Sequence, residues 1–247
     1  MSKKIFISGA TSAIAHAFAR RYAVQGAHFC LLGRNPEKLA IVKDDLLARG
    51  ASSVETVVID FSSRHDYTAT VNQAWQQASG FDIALLAQGV LTDEKRSHTD
   101  LAYLQESFQV NALSVIQLAT VLGEKFAEQG KGSLLLISSP AGDRGREKNY
   151  VYGSAKAAVS VFCDGLRNRL NKTGVQVVTV KPGFIRTPMT TGFDQSGPLW
   201  ADADVVASDL ENAIIKGKSS LYTPWFWRYI MLVIRHIPEF IFKKLSI

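Results

Sequence analysis

Short apolar runs rich in Ile, Val and Leu alternate along the chain with longer segments of helical period. This alternation is the sequence form of repeated βαβ units, which build a parallel sheet covered by helices. We therefore predict an α/β fold, a doubly wound (Rossmann) open parallel sheet of about seven strands with helices on both faces. The predicted strands are 4–8, 28–33, 54–59, 82–87, 132–138, 175–181 and a short last strand near 218–222.

The length of 247 residues suits one sheet of this kind, so residues 1–247 are predicted to form a single dinucleotide-binding and catalytic domain. Asn35 followed by Pro36 predicts a helix start, and Gly50 predicts its end. Residues 184–200 lose their periodicity and predict a loop or small lid. Residues 221–247 form an apolar, aromatic C-terminal extension.

Cysteine usage and charge narrow the function classes. Cys30 and Cys163 show no Cys-x-x-Cys or Cys/His ligand spacing, so we expect two core residues, a reducing cytoplasm and no metal site. The first predicted strand directly follows residues 2–4, which leaves no room for a secretory signal and favours the cytoplasm. The net charge of +6 suits an anionic membrane or a phosphorylated ligand. The lack of a basic stripe on any predicted helix argues against nucleic acid.

The turn after the first predicted strand, residues 8–15, leads straight into a helix. In open α/β sheets such a turn holds a pyrophosphate on backbone N–H groups, but Gly9 is its only glycine, so alone it indicates a nucleotide site only weakly. After the second predicted strand, Gly33-Arg34 lacks the carboxylate that binds the ribose hydroxyls of NAD. Arg34 suits the 2′-phosphate of NADP; the alternative is a solvated arginine at a helix start.

Ser139 follows the fifth predicted strand, Tyr152 comes thirteen residues later, and Lys156 a further four. On a helix, Tyr152 and Lys156 share one face. A free tyrosine has a pKa of about 10, so proton transfer near neutrality needs a nearby cation, which Lys156 supplies. The pattern predicts carbonyl reduction, in which Ser139 donates a hydrogen bond to the substrate oxygen and Tyr152 protonates the developing alkoxide.

Taken together, these motifs resemble the short-chain dehydrogenase/reductase family from residue 4 to about residue 220. The resemblance implies an NADP(H)-dependent oxidoreductase that assembles as a homodimer or homotetramer. It makes Ser139, Tyr152, Lys156 and Asn111 catalytic, with Asn111 anchoring a water and proton relay. The cofactor contacts that it implies are Gly9, Thr11, Ser12, Ile14, Arg34, Asp60, Phe61, Gly89, Tyr152, Lys156, Pro182, Gly183, Ile185 and Thr187. Within this set, Asp60 and Phe61 would contact the adenine, and Ile185 and Thr187 the nicotinamide carboxamide.

The chain departs from the family pattern at two places. Ala13 and Ala15 stand where the second and third turn glycines are expected, which puts cofactor affinity in question, since those glycines allow close backbone and helix approach. On the fourth predicted strand the family's Asn-Asn-Ala-Gly becomes 86–89, Leu-Ala-Gln-Gly, so Ala87 replaces a polar Asn. Gly89 still permits a close approach to the cofactor.

Two segments bear on the substrate. The charged run 143–148, between Ser139 and Tyr152, would border the mouth of the site and suit an anionic or phosphorylated substrate, although most charged loops are simply solvated. Residues 140–160 resemble a subgroup that includes reductases of polyprenyl-phosphate-linked keto-sugars, such as decaprenylphosphoryl-2-keto-pentose reductases. The alternatives are a soluble 3-oxoacyl or steroid-type reductase and a non-catalytic NADP-binding sensor, against which the intact Ser139, Tyr152 and Lys156 argue.

The segment 224–244 is aromatic and apolar with basic residues between. It is too short and too charged to span a bilayer, which takes about 20 apolar residues. It is expected to lie at a membrane interface, to pack on the domain or to contact another subunit. The first alternative would place the protein at the inner face of the membrane.

Overall fold

A parallel sheet of seven strands lies at the centre of the computed structural model, which describes residues 2–245. The strands in chain order are β1 (Lys4–Ser8), β2 (His28–Gly33), β3 (Ser53–Val58), β4 (Ile83–Leu86), β5 (Gly132–Ile137), β6 (Val175–Pro182), β7 (Phe184–Arg186), β8 (Trp200–Asp202) and β9 (Ser220–Thr223). The sheet order is β3-β2-β1-β4-β5-β6-β9, and every neighbouring pair is parallel. The predicted strands are therefore confirmed to within one or two residues.

Helices cover both faces of this sheet. They are α1 (Ala13–Ala23), α2 (Pro36–Ala48), α3 (Tyr67–Ala78), α4 (Glu94–Ser97), α5 (Leu101–Phe108), α6 (Ser114–Gln129), α7 (Tyr150–Leu170), α8 (Ala203–Ile215), α9 (Trp227–His236) and α10 (Glu239–Phe242). A π-helical turn, Gln109–Leu113, joins α5 to α6. One core layer lies under α1, α2 and α8, and the other under α3, α6 and α7. The predicted doubly wound fold is confirmed.

Local sequence signals explain several of these boundaries. The Asn35 side chain caps α2 by accepting the N–H of Lys38 at 2.8 Å, as the Asn-Pro pair predicts. Gly50 follows the end of that helix with φ +105°, a conformation that favours glycine. Cys30 and Cys163 are both buried and unpaired, as expected for core residues.

The prediction of a loop over 184–200 is partly wrong. β7 and β8, at its two ends, pair in parallel and form a separate two-stranded sheet. The rings of Phe184 and Trp200 stack across this pair with centroids 5.2 Å apart. Each strand has only three residues, too few to show a period, which is why the sequence did not reveal them.

The strand order reverses between β1 and β4. In open α/β sheets this reversal opens a crevice beyond the carboxyl ends of the strands, where ligands bind. The turn after β1, Gly89 after β4 and Ser139 after β5 all lie at this edge of the sheet. Within residues 2–245, no helix is long and apolar enough to cross a membrane.

Candidate active site

The β1 turn approaches the end of β4 so closely that only glycine fits at position 9. Gly9 has φ +69°, and a Cβ on it would lie 2.6 Å from the carbonyl carbon of Ala87. Such a contact is closer than van der Waals distance, and the positive φ adds strain for any other residue. Both features keep this turn flush with the sheet edge, where a phosphate group would have to approach the backbone.

Ala15, one of the two alanines in this turn, is accommodated in the core. Ala15 is fully buried in the core layer under α1, and Ser12 caps the helix by accepting the N–H of Ala15 at 3.3 Å. The first turn of α1 carries no acidic residue. The start of this helix therefore suits an anion, because its free N–H groups and its dipole both favour negative charge.

Gln88 links three elements at the base of the crevice. Its side-chain oxygen accepts a hydrogen bond from Ser8 Oγ at 2.5 Å, and its Nε2 donates to Ser114 Oγ at 3.3 Å. Since Ser8 ends β1 and Ser114 begins α6, the buried amide connects both to the end of β4. Gln88 was not among the predicted site residues. The only sequence signal for it is that the family pattern has a polar Asn at position 87, where this chain has Ala followed by Gln88.

Arg34 and Asp60 follow the ends of β2 and β3, at that edge of the crevice. Backbone and side-chain hydrogen bonds from Ser62 lower the pKa of the Asp60 carboxyl, and the charge of Arg34 lowers it further. Arg34 is exposed, while Phe61 is buried. A Cβ on Gly33 would lie 3.2 Å from the Leu39 side chain, so a larger residue there would have to displace buried packing.

Asn111 lies on the π-helical turn and holds the segment after β4 with both ends of its amide. Its Oδ1 accepts the N–H of Val90 and its Nδ2 donates to the Val90 carbonyl, both at 3.0 Å. A Cβ on Gly89 would lie 3.0 Å from Asn111 Oδ1 and 3.5 Å from Lys156 Nζ. Asn111, Gly89 and Lys156 therefore meet at one point.

Lys156 is 2% exposed, with Nζ donating to the Ile137 carbonyl at 3.2 Å and lying 5.8 Å from the centroid of the Tyr152 ring. Burial lowers the pKa of Lys156 to about 8. Burial raises the pKa of Tyr152 to about 12, and a hydrogen bond with Ser139 works in the opposite direction. The three side chains thus lie together, with the tyrosine protonated and the lysine charged at neutral pH.

The backbone around Ser139 is held tightly against α7. Ser139 Oγ accepts the N–H of Ala141 at 3.1 Å, at the start of a 3₁₀ turn over 140–142. A Cβ on Gly142 would lie 2.6 Å from Ala157 N, and one on Gly153 2.8 Å from the Ala141 carbonyl oxygen. The loop and the helix are therefore in direct backbone contact, which fixes Ser139 relative to the residues of α7.

The start of α7 is capped from another element. The carboxylate of Glu94, on α4, accepts the N–H groups of Val151 and Tyr152, each at 3.1 Å. Asn149, at the N-cap position, makes no side-chain cap. Glu94 was not predicted as a site residue, because nothing in the local sequence marks an acid that caps a helix from a distance.

The sequence predicts that the charged run 143–148 borders the mouth of the site. For Arg144 this prediction is wrong, because its side chain binds the C-terminal helices. Its guanidinium donates to the carbonyls of Ile234 and Ile237, both at 2.6 Å, and pairs with Glu239 at 2.9 Å. It also stacks on Phe242. Arg144 therefore attaches the C-terminal helices to the body, a long-range role that a loop sequence does not reveal.

Two neighbouring charged residues, Asp143 and Arg146, differ in their hydrogen-bond partners. Asp143 accepts hydrogen bonds from Lys181 Nζ at 2.5 Å and from the Tyr222 hydroxyl at 2.6 Å, which binds this loop to β6 and β9. Burial lowers the pKa of Arg146, with Asp143 opposing the shift. The Arg146 Nε is buried and has no hydrogen-bond partner among the described residues.

The Pro182-Gly183 pair at the end of β6 lies under the C-terminal segment. A Cβ on Gly183 would overlap the indole of Trp227, so α9 packs directly on this glycine. Ile185 is buried within β7, and the Thr187 N–H donates to Thr190 Oγ1 at 3.1 Å. Thr11 and Ser12 lie in the turn after β1 and Ile14 in the first turn of α1, at the opposite side of the crevice.

Comparison with known proteins places this site in a family. The family model described as short chain dehydrogenase matches residues 3–196. An uncharacterized oxidoreductase of Mycobacterium tuberculosis (strain ATCC 25618 / H37Rv) is 34% identical over 241 residues, which are 98% of this chain and 96% of the relative. One from Streptomyces coelicolor is 30% identical over 246 residues, covering 99% and 96% of the two chains.

Solved structures agree in architecture. A short-chain dehydrogenase from Sphingobium yanoikuyae, in complex with NADPH, superposes with a TM-score of 0.82 at 21% identity, covering 96% of this chain and 97% of that one. The bulky-bulky ketone specific alcohol dehydrogenase from Comamonas testosteroni gives 0.80 at 20% identity, covering 96% and 95%. At these identities the likeness concerns the fold.

Proposed function

The chain belongs to the short chain dehydrogenase family, and from that premise we propose that it is an NADP(H)-dependent oxidoreductase that reduces a ketone to an alcohol. The observation that carries the proposal is the trio of the buried Lys156 and the half-buried Ser139 and Tyr152. Lys156 Nζ lies 5.8 Å from the centroid of the Tyr152 ring, and burial leaves a protonated tyrosine, with a pKa of about 12, beside a lysine with a pKa of about 8.

The crevice fits a dinucleotide phosphate on three independent features. The β1 turn leaves no room for a Cβ at Gly9, which keeps the backbone N–H groups accessible to a pyrophosphate. Arg34 is exposed beside Asp60, at the place where a 2′-phosphate would bind, and Gly33 supplies no carboxylate to oppose it. Gly89 leaves space beside Asn111 and Lys156 for the nicotinamide end.

The protein's own groups would manage the proton. NADPH, when bound, would supply the hydride for the carbonyl carbon. Ser139 donates a hydrogen bond to the carbonyl oxygen, and the Tyr152 hydroxyl transfers its proton to the same oxygen as negative charge develops there. Lys156, charged below pH 8, stabilises the phenolate that remains, and its bond to the Ile137 carbonyl holds Nζ near the ring. Asn111 would take part in returning a proton to Tyr152.

We propose a phosphorylated or lipid-linked keto-sugar as the substrate. The feature that favours it is Arg146, a half-buried cation that stands between Ser139 and Tyr152 in the sequence and whose buried Nε has no partner among the residues described. A buried donor of this kind is best satisfied by an anionic or polyhydroxylated ligand. The alternative is a soluble 3-oxoacyl or steroid-type reductase. A non-catalytic sensor would have no use for a buried lysine beside the tyrosine.

The proposal includes two further features from the sequence. One is assembly as a homodimer or homotetramer, the usual state of the family. The other is peripheral association with the inner face of a membrane through residues 224–244, which would bring the site close to a lipid-linked substrate.

Cofactor titration and turnover test the proposal together. NADPH and NADH are titrated into the protein, and NADPH oxidation is then followed with phosphorylated keto-sugars, 3-oxoacyl thioesters and simple ketones. Tyr152→Phe is expected to bind NADPH normally and to lose turnover. Tyr150→Phe, which changes an exposed tyrosine on the same helix, is the matched control and is expected to keep turnover. Full turnover by Tyr152→Phe, or no binding of either cofactor, would contradict the proposal.

A further inference from the structure

The C-terminal helix α9 is attached to the body by one face only. Trp227 and Met231, four residues apart, are buried, and α10 adds Phe242 beneath the guanidinium of Arg144. The opposite side of α9 and the residues beside it carry large apolar side chains into solvent. This outward face consists of Trp225, Tyr229, Leu232, Val233 and Phe240, all between 54% and 71% exposed.

The outward face is one surface rather than scattered residues. Tyr229, Leu232 and Val233 are at i, i+3 and i+4, so they lie side by side on the helix. The Trp225 ring contacts that of Tyr229, with centroids 5.9 Å apart. Tryptophan and tyrosine are the residues that concentrate where a membrane meets water, because their rings are apolar and their polar atoms remain hydrated.

The charges around this face are almost all positive. Residues 224–245 contain four cations, Arg228, Arg235, Lys243 and Lys244, all exposed. Their one carboxylate, Glu239, is already paired with Arg144. Arg228 and Arg235, seven residues apart, lie along one border of the apolar stripe. The border therefore complements an anionic surface.

The same charges argue against a second copy as the occupant. A twofold dimer brings identical patches together, so Arg228 and Arg235 of one copy would face the same cations of the other without a free carboxylate between them. A bilayer of anionic lipids offers instead an apolar layer for Leu232 and Val233 and phosphate groups for the arginines.

We infer that the outward face docks the protein on an anionic lipid bilayer, with α9 lying in the plane of the interface. The inference rests on the membrane association included in the proposed function, and it adds which face binds and which lipid charge that face needs. The Phe184 ring contacts Trp227 with centroids 4.8 Å apart, so the β7-β8 pair adjoins α9. Met189 and Phe193, in the segment between those strands, are also exposed. The bilayer would thus lie beside the entrance to the site.

Co-sedimentation of the full chain with vesicles tests the inference without substrate or cofactor. One set is phosphatidylcholine alone, and the other contains about a third phosphatidylglycerol, the anionic charge that basic residues need. Binding is expected with the second set and much less with the first. High salt is expected to weaken it, since exposed charges are screened within about 10 Å at 0.1 M ionic strength.

Matched variants assign the binding to the outward face. Val233→Asp is expected to weaken binding about tenfold or more, because it places a charge where an apolar side chain should enter the interface. Ile41→Asp, on α2, is the control, since Ile41 and Val233 are both 66% exposed. Arg228→Gln and Arg235→Gln should each weaken binding about fivefold on anionic vesicles, whereas Lys216→Gln, at the end of α8, should not.

The outcomes separate this inference from the proposed function. A protein that reduces a water-soluble ketone but does not bind anionic vesicles overturns the docking and leaves the enzyme. A protein that binds vesicles through Val233 but reduces nothing supports the docking and contradicts the enzyme. If the wild type does not bind vesicles, and Val233→Asp has a lower assembly mass than the wild type by light scattering, the outward face joins copies of this chain. The inference is then wrong.

Discussion

Glu94 and Tyr152 are 58 residues apart in the chain, yet the N–H of Tyr152 donates to Glu94 Oε1 at 3.1 Å. The other carboxylate oxygen accepts the N–H of Val151, so one side chain satisfies two of the free N–H groups at the start of α7. Its negative charge also suits the positive end of the helix dipole. The helix that carries Tyr152 and Lys156 is thus positioned by a residue of α4.

Glu94→Ala is expected to lower kcat about tenfold while leaving NADPH affinity nearly unchanged, because it loosens the first turn of α7 and costs about 1–2 kcal/mol of stability. The kcat of Glu94→Gln, which keeps one acceptor oxygen, should lie between those of the wild type and Glu94→Ala. Steady-state kinetics and cofactor titration give the split between kcat and binding. Glu106→Ala, an exposed glutamate on α5, is the control, and equal kcat values for the two alanine variants would exclude a positioning role.

Lys156 is expected to reduce the stability of the empty protein. Burial lowers its pKa to about 8, below that of an unfolded chain, so the charged form is favoured in the unfolded state. Lys156→Met should therefore raise the free energy of unfolding at pH 7 by up to about 3 kcal/mol, while abolishing turnover.

The stability cost of Lys156 is expected to depend on pH. Below pH 8 the lysine is charged in both states and the full penalty applies; it declines as pH rises from 8 towards 10.5, where both states become neutral. The stability advantage of Lys156→Met over the wild type should shrink across that window in denaturant titrations. A constant advantage would contradict the assignment. Lys172→Met, at an exposed lysine, should change stability by less than about 0.5 kcal/mol.

Gly9→Ala and Gly165→Ala should have opposite effects. A Cβ at position 9 meets the backbone of Ala87 at 2.6 Å and requires positive φ, so we expect a loss of about 2–4 kcal/mol and much weaker NADPH binding. Gly165 lies inside α7 with no atom within 4 Å of an added Cβ, so alanine there should stabilise the protein by up to about 1 kcal/mol. Thermal unfolding compares the two, and tolerance of Gly9→Ala would mean that the β1 turn is less rigid than described.

Arg34→Ala should weaken NADPH binding about 10- to 100-fold, the usual value of a charge-assisted contact to phosphate, and should leave NADH affinity nearly unchanged. Lys38→Ala removes another exposed cation, in the first turn of α2, and should change the affinity for both cofactors little. Fluorescence titration with the two cofactors measures the ratio. Equal losses for NADPH and NADH would remove the 2′-phosphate contact from the proposal.

The parts predictable from sequence depended on short-range patterns. Buried parallel strands are nearly continuous apolar runs, so β1 and β2 were placed to the residue. Tyr152 and Lys156 were expected together because four residues are about one turn of a helix. A pattern of this kind exists wherever neighbours in the chain are also neighbours in space.

The missed features all join distant parts of the chain. Arg144 contacts carbonyls about 90 residues further on, and Glu94 caps a helix 58 residues away. No local period marks either residue, and both have the composition of ordinary surface charges. The pairing of β7 with β8 is of the same kind, since it depends on Phe184 meeting Trp200 rather than on either three-residue strand.

The hydrogen bonds of Gln88 link the residues at positions 8, 88 and 114, so a substitution at one of them affects the other two. An alanine at 88, which the family pattern has at this position, would remove the amide and leave the buried Ser8 hydroxyl without its partner. Transplanting the family's residue alone should therefore cost more than changing all three together, because the effects of linked residues are not additive. An ancestral or consensus redesign of this chain therefore has to keep these three residues or substitute them together.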